Sequence, residues 1–79
     1  MTSKFLPFYW SLVEQLMRNE GCGQVDAQRR LLARTVRRAQ AAGHGHNQIA
    51  HRLERQWGML KRTYYRQLKQ IRHTICIPH

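Results

Sequence analysis

Apolar residues recur three and four positions apart along nearly the whole chain, and no run alternates with the two-residue period of a half-buried strand. The pattern predicts an all-α protein of about four helices. Pro7 suits the first turn of a helix, and Phe5, Tyr9, Leu12, Val13, Leu16 and Met17 keep helical spacing until Asn19-Glu20-Gly21, so a first helix is expected over 6–20. Gly21-Cys22-Gly23 reads as a turn, after which Asp26 stands as an N-cap for a second helix over 26–42 with Leu31, Leu32, Val36 and Ala39 on its sparse apolar side. Gly43-His44-Gly45-His46 breaks it, and is the one linker-like stretch in the chain. Asn47 is placed to cap a third helix carrying Ile49, Leu53 and Trp57 to Gly58, and a fourth is expected from about Leu60 to Thr74. Pro78 ends the pattern, and Ile75-Cys76-Ile77 fits either a last helical turn or a short extended tail.

The stretch from Gly58 to Leu68 organises this reading. A lone Gly after an apolar helical stretch ends the helix at little cost, because the terminating position wants positive φ. In the stretch that follows, Lys61, Arg62, Tyr65, Arg66 and Lys69 fall on the side away from the stripe of Leu60, Tyr64, Leu68, Ile71 and Ile75. Helix, Gly turn and cationic second helix is the helix-turn-helix order, which residues 47–75 would supply within a single helical domain spanning 1–79.

From Gly58 onward the residues resemble the turn and recognition helix of bacterial and phage helix-turn-helix regulators such as the tetracycline-repressor family, where Gly-hydrophobic-Ser-x-x-Thr-x-Tyr-Arg recurs. Leu60 stands here where that pattern carries Ser. The run Lys61-Arg62-Thr63-Tyr64-Tyr65-Arg66 is also similar to the sigma-like domains of phage late regulators, the autolysin-regulator type and the Q-type antiterminators, as is Trp57 ahead of the turn. The resemblance covers Ile49 to Ile75. It implies a small transcription regulator of phage or mobile-element origin that binds double-stranded DNA, with Lys61, Arg62, Thr63, Tyr65, Arg66 and Lys69 on the fourth helix at the duplex.

Charge points the same way. In 79 residues, Lys and Arg number 14 against 4 Asp and Glu, a formal +10, and release of condensed counterions favours such a chain on a polyanion. Met1 to Asp26 carries Lys4 and Arg18 against Glu14, Glu20 and Asp26, whereas every other Lys and Arg comes later with Glu54 as the sole acid. Along the second helix Arg30, Arg34, Arg37 and Arg38 share one side, with Arg29 adjacent. Guanidinium forks at this density, with no acidic neighbours expected to pair with them, suit phosphate oxygens better than a merely solvated face.

A chain this short buries only about 60% of the surface its unfolded form exposes, so the core is thin. Phe5, Phe8, Tyr9 and Trp10 supply more aromatic surface around the first helix than such a core needs. They are read either as a homodimer interface or as a cap on one end of the monomer core.

Other chemistry is weak. Five His and two Cys invite a metal reading, but Cys22 and Cys76 are far from the short thiol spacing of zinc sites, so no metal and no cofactor is expected, and His44 and His46 read as solvent-exposed linker residues. Four acids, with no Ser-His-Asp or phosphate-loop arrangement, argue against an enzyme. No leader pattern precedes a cleavage site and no window approaches the ~18 apolar residues of a spanning helix, which predicts a cytoplasmic protein with reduced thiols, on bacterial or host-cell nucleoid. Two alternatives stand beside the DNA reading. One is a small inhibitor or adaptor that binds a host protein through its aromatic first helix; the other is an RNA binder using Tyr64, Tyr65 and the Arg run.

Overall fold

A computed structural model describes residues 5–75, with side chains from Phe5 to Ile71. Four helices follow in order: α1 Pro7–Glu20, α2 Gln24–Ala41, α3 His46–Trp57 and α4 Lys61–Ile75. No strand occurs among the described residues. α2 packs against the other three helices, and α3 touches all of them as well, so these two form the centre of the bundle.

The helix boundaries differ from the sequence reading where caps were assigned by residue type. α2 opens at Gln24 behind Gly23, leaving Asp26 inside the first turn rather than at the cap. α3 likewise opens behind Gly45, with His46 and Asn47 already helical. A carboxylate in a first helical turn still meets the positive end of the helix dipole, so Asp26 keeps a favourable position without being the cap. α1 begins at Pro7 rather than Leu6, α2 ends at Ala41 rather than Ala42, and α4 runs from Lys61 through Ile75. The expected alternatives for Cys76, Ile77 and Pro78 lie outside the described residues, as does Lys4.

Helix ends are closed mainly by backbone. At the end of α2, Gly43 takes φ 93°, its N–H bonds the Gln40 carbonyl at 2.9 Å and the His44 N–H reaches the Ala39 carbonyl at 3.0 Å. That pair of bonds is the Schellman closure, which a Cβ would strain. After α3, Gly58 at φ 75° turns the chain, and the N–H groups of Gly58 and Met59 fold back on the carbonyls of Glu54 (3.1 Å) and Leu53 (3.4 Å). Gly58-Met59-Leu60 alone then joins α3 to α4.

The core runs from Tyr9, Val13 and Leu16 on α1 through Ala27, Leu32, Ala33, Val36 and Ala39 on α2 to Ile49, Ala50, Leu53 and Trp57 on α3, and ends on Met59, Tyr64, Leu68 and Ile71. Alanines dominate the α2 contribution, which lets its neighbours approach closely. No charged side chain is buried among the described residues.

The aromatic surplus is smaller in three dimensions than in one. Phe5 stacks on Tyr9 at 4.4 Å, Trp10 meets both edge-on, and Tyr9 packs on Trp57 at 5.1 Å. Tyr9 is 1% exposed, so it belongs to the monomer core and has no surface left for a dimer contact. Phe5 and Trp10 are half-buried against the same core, and only Phe8, 57% exposed, projects into solvent.

Candidate nucleic-acid interface

α4 is amphipathic, and over its described side chains burial follows the expected register except at Leu60, which the stripe included and which the structure leaves exposed at the helix start. Tyr64, Leu68 and Ile71 are buried, Thr63 is half-buried, and Lys61, Arg62, Tyr65, Arg66 and Lys69 are exposed. At 100° per residue Arg62, Arg66 and Lys69 lie opposite the core-facing line, whereas Tyr65 leans towards one flank. The Tyr64 N–H bonds the Leu60 carbonyl at 2.9 Å, which makes Leu60 the residue that opens the helix, with its side chain 42% exposed.

Two side-chain links hold the start of α4 against the start of α3. The His46 ring bridges its neighbours, with Nε2 3.3 Å from the Gln40 amide nitrogen and Nδ1 3.0 Å from the Tyr64 hydroxyl. One residue further along each helix, the Tyr65 hydroxyl donates to Asn47 Oδ1 at 3.3 Å. The rings of Tyr64 and Tyr65 meet edge-on at 5.1 Å. His46 is therefore a half-buried connector, and His44, also half-buried, bonds the Gln48 amide oxygen at 3.2 Å. Both depart from the exposed-linker expectation, because α3 begins one residue before Asn47 and carries His46 inward.

The α2 arginines are exposed as a row, but they are not all free. Glu20, the last residue of α1, places one carboxylate oxygen on Arg30 Nη1 at 2.6 Å and the other on Arg34 Nη2. The expected absence of acidic neighbours thus fails for Arg30 and Arg34, since the partner comes from the preceding helix across the Gly21-Cys22-Gly23 turn. These hydrogen bonds hold the Glu20 carboxyl below its ordinary range and raise Arg30 above its own. Arg37 and Arg38 form no ion pair among the described residues, nor do the cations of α4. Arg29, Arg30, Arg34 and Arg37 line, with Glu20, Ala33 and Ile71, an open hollow of about 260 Å³.

α3 adds basic groups that sequence reasoning passed over. Arg52 and Arg55 are exposed and edge a second open hollow of about 440 Å³ with His44, Gln48, His51 and Gln56. The signal was present, since both stand off the Ile49-Leu53-Trp57 stripe. The sequence marks Asn47 only as a cap, because its contact with Tyr65 depends on the packing of two helices.

Among the described residues no group of three His, Cys, Asp or Glu could hold a metal ion, and no helix is long and apolar enough to cross a membrane. Cys22 is a free, half-buried thiol, and Cys76 lies outside the described residues. No family model, no curated protein and no solved structure matches the chain.

Proposed function

We propose that this chain is a small DNA-binding regulator that lays α4 in the major groove in a helix-turn-helix manner and uses the α2 arginines on flanking phosphates. The observation that carries the reading is the outer face of α4. Arg62, Arg66 and Lys69 are exposed opposite a buried stripe, without acidic partners among the described residues, on a helix launched by a Gly turn from α3. Arg matches the O6 and N7 acceptors of guanine bidentately, and Tyr65 held by Asn47 supplies a fixed aromatic beside them. The direct test is selection of bound oligonucleotides from a random duplex pool, followed by titration at several salt concentrations. Enrichment of a sequence, with affinity falling by orders of magnitude between low and moderate salt, is the expected result. A salt-insensitive complex with a protein, or selection of single-stranded RNA over duplex, rejects it.

A homodimer through α1 belongs to the same reading, because paired half-sites suit helix-turn-helix proteins. With Tyr9 in the core, Phe8 is the α1 aromatic that would meet the second copy. Sedimentation of the wild type as a monomer at high micromolar concentration, indistinguishable from Phe8→Ala, removes the dimer.

A further inference from the structure

Glu20 occupies an unusual position for a carboxylate. It ends α1, where unpaired carbonyls make the surroundings negative and an acid is disfavoured. What holds it is the opposite helix: Arg30 and Arg34, one turn apart on α2, each take one of its two oxygens. An anion bridging two guanidinium groups is the arrangement a phosphate adopts between arginines. Arg29 and Arg37 border the same hollow with no ion pair among the described residues, so one negative charge sits among four positive ones. The hollow is open to solvent, and the pair-forming side chains of Arg30 and Arg34 are themselves 46% and 52% exposed. Exposed ion pairs of this kind exchange readily with a competing anion.

We infer that the hollow between Arg30, Arg34 and Arg37 is a binding site for a backbone phosphate, and that Glu20 is its resident internal competitor. The inference rests on the nucleic-acid reading above and adds regulation of that same surface. In the free protein Glu20 holds two arginines in a phosphate-ready geometry while cancelling part of their attraction. A phosphate that displaces the carboxylate gains two prepositioned forks, yet must replace a bond already made. Indiscriminate binding through α2 is thereby weakened relative to binding that also engages α4.

The test compares wild type, Glu20→Gln and Glu14→Gln as full chains on a scrambled duplex. Glu14 is exposed on α1 and in no ion pair among the described residues, so its variant gains the same unit of charge without freeing an arginine. Glu20→Gln should bind on the order of two- to fivefold more tightly than Glu14→Gln, with a log–log salt slope steeper by about one. Adding Arg30→Ala and Arg34→Ala to Glu20→Gln should abolish the gain. Equal affinities and slopes for Glu20→Gln and Glu14→Gln overturn the inference. A parallel titration with pyrophosphate follows the Nε–Hε signals of Arg30 and Arg34 by NMR. If no duplex binds, yet pyrophosphate shifts those signals at lower concentration in Glu20→Gln than in wild type, the phosphate site stands and the DNA reading falls. If pyrophosphate moves them equally in both proteins, the competitor role is wrong.

Discussion

The Leu6 N–H donates to the Trp57 carbonyl at 2.7 Å, tying the residue that opens α1 to the last residue of α3, immediately before the turn into α4. A helix-terminal carbonyl that no later turn can satisfy is thereby used as an anchor for the chain's beginning. Tyr9, one turn along α1, packs on the Trp57 ring, so backbone and side chain of one residue fix α1 and the launch point of α4 together.

Trp57 is accordingly the most sensitive core position. At 2% exposure, its replacement by Ala should cost about 3–5 kcal/mol, a large part of the stability a domain of this size commands. Urea unfolding followed by circular dichroism measures it. A loss below about 1 kcal/mol would show that the aromatic cluster is not the keystone.

Tyr9 carries a buried hydroxyl with no hydrogen-bond partner among the described residues, and burial pushes its pKa from 10.0 up to about 12. Tyr9→Phe removes a desolvated donor without opening a cavity and should stabilise by about 1 kcal/mol. The neutral phenol is favoured in the fold, so its contribution is complete below pH 10 and is lost as pH rises from 10 towards 12. Stability of the wild type should therefore fall over that window, and Tyr9→Phe should flatten the fall in pH-dependent denaturation curves.

Glu20 governs the acid side. Its folded pKa lies below the ordinary carboxylate value because Arg30 and Arg34 bond the charged form. The stabilisation is present above the unfolded pKa and disappears as pH falls through the folded one. Thermal melts from pH 7 to pH 2 should show Glu20→Gln losing less stability than wild type. Parallel curves would mean the carboxylate titrates normally.

Arg66 and Arg38 separate reading from positioning. Arg66→Ala should cost about 1–3 kcal/mol on the selected duplex and relax discrimination at one base pair. Arg38→Ala should weaken selected and scrambled duplexes alike and make the salt slope shallower. Equal losses on both duplexes for both variants would reduce α4 to a second phosphate-binding face.

Four helices, their approximate spans, the Gly58 turn and the division of α4 into a Tyr64-Leu68-Ile71 stripe and an Arg62-Arg66-Lys69 face were legible in the sequence by itself, because helical period and glycine's freedom at positive φ are local properties. Exact helix starts were not: Gly23 and Gly45 stand at the caps that Asp26 and Asn47 were expected to fill, since packing places a helix end as strongly as the capping residue does. Tertiary structure alone decided which aromatics remain outside. Phe8, Tyr9 and Trp10 are consecutive in sequence, but Tyr9 turns onto Trp57 arriving from α3 and Trp10 edges onto Tyr9 and Phe5, which leaves Phe8 in solvent. The same holds for charge. Glu20 and Arg34 lie on different helices, and it is the reversal at Gly21-Cys22-Gly23 that brings the carboxylate onto the arginine row and turns an unbroken basic face into one with a built-in counterion.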